Sequence, residues 1–240
     1  MLDALEDLKL AESTLVAITS DHGQNLGEHN LWSMMSNAEA SLRVPLLIRT
    51  PATKTSRRPM KSPAALYTHP VELVDLFPTL AGAAGLDLPP FSLPGTDLSS
   101  AMLSNIPVKP INAAFSQITR CSNCSRAYDL KNGGSTECQY DRTADSAFYV
   151  PCCVTNRTMY DYMGMSVRTE EWRYTLWCGW DGQTLSADWS NCTQPELFDH
   201  RNDTELFNVD DWENNNCAGL ADYQLVEAEM KALLRRGFDS

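Results

Sequence analysis

The chain has no run of about 18 apolar residues, so no segment reads as a transmembrane helix. Basic side chains are scarce: 19 Lys and Arg stand against 31 Asp and Glu, a formal net charge of -12. That balance excludes a general nucleic-acid binder and a polybasic membrane-surface protein. Cysteine is absent from residues 1–120, and histidine occurs only four times. No internal repeat is present, which excludes a solenoid. The amino terminus, MLDALEDLKLAES, lacks a basic stretch followed by an apolar one and does not read as a signal peptide. Against these absences stands a composition that is 43% hydrophobic over 240 residues, enough for a packed core.

All eight cysteines fall between 121 and 217: Cys121, Cys124, Cys138, Cys152, Cys153, Cys178, Cys192 and Cys217. An even number in one loop-rich block predicts disulfides. Zinc is the rival, since Cys121 and Cys124 have ligand spacing, but no second C-x-x-C follows. Four N-x-[ST] sequons, at Asn123, Asn156, Asn191 and Asn202, share this block and favour disulfides in a secreted, lysosomal or other lumenal setting. An oxidising destination without a leader implies unusual export or a chain that lacks its beginning.

Along the chain, Leu2, Leu5 and Leu8 have helical spacing. Leu15-Val-Ala-Ile18 then reads as a buried parallel strand ending at Thr19-Ser-Asp-His-Gly23, and Val44-Pro-Leu-Leu-Ile48 as a second strand, with Pro45 tolerable near a strand start. A helix is predicted from His69-Pro70, kinked at Pro78 and stopped at Gly82 or Gly85. Ala113–Ile118 reads as a strand. Residues 165–169 and 172–177 alternate around Glu170-Glu171 as an antiparallel hairpin. Pro195–Phe198 reads as a short strand or bend. Residues 221–236 form an amphipathic helix with Leu225, Ala228, Ala232 and Leu233 as its buried stripe, ended by Gly237.

The chemistry concentrates at Asp21-His22, a carboxylate and an imidazole at the carboxyl end of a strand, where open α/β sheets place ligands. By itself the dipeptide equally suits a capping Asp and an ordinary hydrogen-bonded His. The surrounding run V-A-I-T-S-Asp21-His22-G-x-x-L-G-E-His29-x-x-Trp32 resembles the sulfatase family of the alkaline-phosphatase-like superfamily, and within it the iduronate-2-sulfatase branch. The likeness continues in Arg43-Val-Pro-Leu46, Val71–Leu80, Ala114-Phe-Ser-Gln117 with Arg120, Met163–Trp177 and Glu196-Leu-Phe-Asp199. It implies residues 1–120 as the carboxyl-terminal part of a catalytic α/β domain, 121–160 as a Cys-rich insertion, and 161–240 as a smaller α+β subdomain.

The resemblance also implies sulfate-ester hydrolysis on sulfated sugars or polysaccharides, with Asp21 and His22 completing a calcium site and His29 near the substrate. Imidazole is a poor match to calcium's preference for oxygen, so the metal's identity rests on the resemblance. Two departures stand out. No cysteine lies in the formylglycine context that supplies the family's nucleophile, and the family's remaining metal carboxylates have no counterpart, so both are expected in an amino-terminal half outside this chain. Met34 stands where the family commonly has a sulfate-contacting lysine, and a thioether carries no positive charge. Two other readings stay open: a phosphodiesterase or phosphonate hydrolase of the same superfamily, and a degenerate glycan-binding protein. Lys54, Arg57, Arg58 and Lys61 read as a solvated loop, Trp172, Trp177 and Trp180 as core, and Arg168 and Arg173 as anion-binding or paired with nearby acids.

Overall fold

The computed structural model describes residues 2–51, 66–101, 109, 112–120, 156–203 and 211–238. The basic cluster at Lys54, Arg57, Arg58 and Lys61 lies outside them, as do Asn123 and Cys121, Cys124, Cys138, Cys152 and Cys153. The chain divides into two compact units, residues 1–21 with 44–114, and residues 22–43 with 115–240.

The first unit holds helix α1 (Leu2–Asp7), strand β1 (Val16–Thr19), strand β4 (Leu46–Arg49) and helix α3 (Leu76–Ala84). The parallel, doubly covered strand expected at Leu15–Ile18 is not what forms. β1 pairs antiparallel with β4, Val16 opposite Arg49 and Thr19 opposite Leu46, in a two-stranded sheet. On this two-stranded sheet Ile18 is 55% and Leu47 59% exposed.

A 3₁₀ turn, Leu73–Asp75, leads into α3 through a capping box between Glu72 and Asp75. Buried Asp75 also accepts from the Thr96 amide at 2.8 Å and pairs with Lys109 at 3.1 Å. The helix thus starts later than His69-Pro70. Pro78 falls in its first turn, where a missing N–H breaks no intrahelical bond, so the expected kink has no cause. Gly85 ends the helix in the left-handed conformation at φ 70°.

The second unit is built on a four-stranded sheet ordered β5 (Ala114–Arg120), β6 (Tyr162–Arg168), β7 (Trp172–Asp181), β8 (Ser186–Asp199). β6 and β7 form the predicted hairpin. β8 is 14 residues long, far more than the short strand expected at 195–198. Its polar, Asn- and Ser-bearing first half carries little strand propensity and is held by pairing with β7.

Register sorts the hairpin's two faces. Val167 opposes Tyr174, Met165 opposes Leu176 and Met163 opposes Cys178, all apolar and buried. The alternate positions, Ser166 with Thr175 and Arg168 with Arg173, make the other face polar. Helix α4 (Gln224–Phe238) contributes buried Met230 and Leu234 to the core. Its stripe is therefore rotated from the expected one, and Leu225 is 84% exposed. Gly237 does not stop the helix. A Cβ there would lie 2.1 Å from the Phe115 ring, which is what glycine at this position makes room for.

Candidate functional site

The segment 22–43 opens the second unit and carries most residues singled out by sequence. Asp21 and His22 are both exposed, just past the carboxyl end of β1, Asp21 closing the first unit and His22 opening the second. Ser20 Oγ lies 3.4 Å from Asp21 Oδ1. His22 Nδ1 sits 2.8 Å from the Gly23 carbonyl. A carbonyl only accepts, so Nδ1 donates and the neutral ring carries its lone pair on Nε2, the tautomer seen in metal-ligating histidines anchored through the opposite nitrogen. The donor chemistry of both residues thus fits a cation. Among the described residues no group of three or more His, Cys, Asp or Glu side chains is arranged to hold one alone.

Gly23 fixes where this turn sits. Its amide donates to the Ser41 carbonyl at 2.7 Å, and a Cβ would fall 2.0 Å from the Ala40 carbonyl oxygen, so only glycine fits against the short helix α2 (Glu39–Leu42). Asn25, fully buried, ties the rest together through Nδ2 contacts to the Ser33 carbonyl, Ser36 Oγ and Ser41 Oγ at 2.7, 3.1 and 2.5 Å. Strands β2 (Asn25–Leu26) and β3 (Trp32–Ser33) pair across a turn in which His29 and Asn30 adopt φ of 53° and 58°. Met34 is 38% exposed, and its Sδ lies 2.9 Å from Ser33 Oγ.

No spacing or motif groups His29, Arg120, Trp177 and Glu196 in the sequence. The Arg120 guanidinium lies 5.0 Å from the Trp177 ring centroid and donates to the Met35 carbonyl at 3.0 Å, one residue beyond Met34. Burial pushes Glu196 above the usual carboxylate range, with Glu213 adding to the rise, while a Trp177 hydrogen bond and the charges of His29 and Arg120 pull it back. Burial lowers Arg120, and Glu196 opposes that. The arrangement places one half-buried cation and one protonatable carboxyl beside the 22–43 segment.

Beneath this segment lies a buried ionic cluster. Glu39 pairs with Arg173, with Arg168 at 3.1 Å and with Arg43 at 3.5 Å. Arg173 also pairs with Glu213, whose carboxylate accepts from the Glu39 amide at 2.7 Å. Asp203 meets Arg43 at 2.9 Å and His200 at 3.2 Å. Burial pushes the Glu39 carboxyl up, yet Arg173, Arg168, His200 and Arg43 together hold it at about 2. Arg168 and Arg173, which as sequence suited either anion binding or ion pairing, are thus committed to pairing. Asn37 completes the attachment, donating to the Gly164 carbonyl at 3.0 Å.

Cys178 and Cys192 form a disulfide across paired positions of β7 and β8, Cα atoms 3.9 Å apart. Among the described residues Cys217 carries a free thiol, with Sγ 3.6 Å from the Asn215 carbonyl and hydrogen-bonded to Tyr223. Asn156, Asn191 and Asn202 are all exposed.

Comparison with known proteins settles the family. Residues 1–86 match the Sulfatase family model. The chain belongs to the sulfatase family. It is 33% identical over 231 residues to mouse (Mus musculus) iduronate 2-sulfatase, an alignment covering 82% of this chain and 38% of that protein. A sulfatase structure from Bacteroides thetaiotaomicron superposes with a TM-score of 0.59 at 20% identity, covering 98% of this chain and 38% of the other. The phosphonate monoester hydrolase of Silicibacter pomeroyi superposes with 0.60 at 21%, covering 98% and 36%. The fold class is therefore α/β of the alkaline-phosphatase-like type. The chain spans a little over a third of the length of the relatives it matches.

Proposed function

We propose that this chain forms the carboxyl-terminal part of a sulfatase that hydrolyses sulfate esters of sugars or polysaccharides. The observation that carries the reading is the Asp21-His22-Gly23 turn at the end of β1, inside the region that matches the family model. Asp21 and His22 would hold a divalent cation, calcium by family likeness, with the remaining ligands and the nucleophile supplied by an amino-terminal segment outside these 240 residues. Bound there, the cation would offset negative charge on the sulfate oxygens.

The chain's own residues have three tasks. Gly23 and Asn25 fix the turn that presents His22. In the His22 tautomer that donates from Nδ1 to the Gly23 carbonyl, Nε2 carries the lone pair that a cation would take. Arg120, pinned to the Met35 carbonyl, places a guanidinium near the position where Met34 offers no charge. The Cys178–Cys192 disulfide supports a secreted or lysosomal setting.

Phosphonate ester hydrolysis is the second reading, favoured by the Silicibacter pomeroyi structure. A chimera in which this chain replaces the matching part of mouse iduronate 2-sulfatase separates them. Aryl sulfate turnover that is lost in Asp21→Asn and His22→Ala and raised in Met34→Lys is expected. Preferential turnover of an aryl phosphonate would move the assignment to the second reading. A folded chimera that hydrolyses neither, with or without Met34→Lys, would refute both.

A further inference from the structure

We propose that the cleft beside β5 and the β7–β8 turn is a cradle for the innermost N-acetylglucosamine of a glycan carried on Asn156. The cleft has a volume of about 380 Å³ and is lined by Gln117, Thr119, Arg157, Tyr160, Trp180 and Leu185 among others. That is within the range of small-ligand sites, which combine apolar walls with a few polar groups. Tyr160 and Trp180 stand with ring centroids 6.2 Å apart and tilted by 48°, offering apolar faces on which the C–H face of a sugar ring can rest.

The sequon is fastened to this cleft. Trp180 Nε1 donates to the Arg157 carbonyl at 2.7 Å, one residue after Asn156. The next residue is pressed against the β7–β8 turn: a Cβ on Gly182 would fall 1.8 Å from the Thr158 carbonyl oxygen. Asn156 itself is exposed and caps the short 3₁₀ turn 157–159. Its Oδ1 accepts from the Thr158 amide at 3.0 Å and the Thr158 hydroxyl at 3.1 Å. Both acceptor contacts use Oδ1, so the nitrogen that takes the sugar is not the atom held down.

Charge decides against the alternative occupant, a free sulfated chain. The adjoining cleft shares Trp180 and carries Asp161, Asp181 and Asp188, which repel a polyanion and are indifferent to a neutral hexosamine. The rival sequon is worse placed. Asn191 Nδ2 lies over Gly179, 2.7 Å from where a Cβ would be, and its middle residue Cys192 is in the disulfide.

The proposal is independent of the sulfatase reading and is tested on the chain secreted from a eukaryotic host with high-mannose glycans. Peptide mass mapping should find Asn156 occupied. Trimming with endoglycosidase H, which leaves one N-acetylglucosamine, should leave the melting temperature unchanged. Asn156→Gln should lower it by about 2–4 °C. Trp180→Leu should abolish the difference between glycosylated and Asn156→Gln chains. Should Trp180→Leu not fold, exposed Arg157→Ala, which keeps the sequon, makes the same comparison and should shrink the difference at least twofold. An unoccupied Asn156, equal melting of Asn156→Gln and wild type, or an undiminished difference in the cleft variants would overturn the proposal. So would binding of a heparin tetrasaccharide to Asn156→Gln that Arg157→Ala abolishes, since a polyanion would then be the occupant.

Discussion

Replacing Glu39 by Gln should cost the chain about 3 kcal/mol at pH 7. Glu39 has a side chain only 4% exposed and is the acid around which Arg173, Arg168 and Arg43 gather. Its carboxyl is held at about 2 against an ordinary value of 4.5. At about 1.4 kcal/mol per unit, that depression corresponds to about 3 kcal/mol of preferential stabilisation of the ionised form. Independent reasoning agrees, since removing one partner of a buried pair costs about 3–5 kcal/mol by stranding the other. For a chain of this size the melting temperature should fall by about 6–12 °C. The sign of the pH dependence follows from the depressed value. The stabilisation is fully present above pH 4.5 and is lost as pH falls towards about 2. The gap between wild type and Glu39→Gln, read by urea unfolding at pH 7, 5, 4 and 3, should therefore hold steady down to about pH 5 and then narrow. A drop in melting temperature below about 2 °C at pH 7, or a gap that does not narrow in acid, would refute the reasoning.

Three further outcomes are expected. Gly237→Ala should destabilise by about 1–3 kcal/mol, although alanine is ordinarily favoured in a helix, because its methyl group would enter the Phe115 ring; a stabilised variant in thermal melts would show that the ring moves aside. Alkylation of the folded chain followed by peptide mapping should label Cys217 and spare Cys178 and Cys192. The double variant Cys178→Ser/Cys192→Ser should lose about 3 kcal/mol by the loop-entropy model for a separation of 14 residues, and unchanged denaturation midpoints would contradict it.

Strongly patterned elements were legible in the sequence. Alternation about Glu170-Glu171 announced the β6–β7 hairpin, since period-two patterning survives any tertiary context that buries one face. The ordered motifs around Asp21, Arg43, Ala114 and Met163 announced the family. Other features were not legible, for identifiable reasons. Leu15–Ile18 reads the same whether it pairs parallel or antiparallel, because an apolar run carries no record of its neighbour. The stripe of α4 was misplaced, since Ala, Leu, Val and Met permit several registers and only packing against the sheet selects Met230 and Leu234.

By itself, then, the sequence determined the central hairpin and the carboxyl-terminal helix, which family the chain joins, and that an acid and an imidazole follow the first strand. Tertiary structure decided what the charges do. Glu39, Arg168, Arg173, His200, Asp203 and Glu213 are spread over 175 positions and have no spacing that a pattern could register. Only the folding of 22–43 against the polar face of the hairpin brings them within ion-pair distance, because long-range contacts are set by the register of the sheet and not by neighbourhood in the chain. The same holds for His29, Arg120, Trp177 and Glu196, whose grouping exists only once β5, β7, β8 and the turn at His29 are assembled.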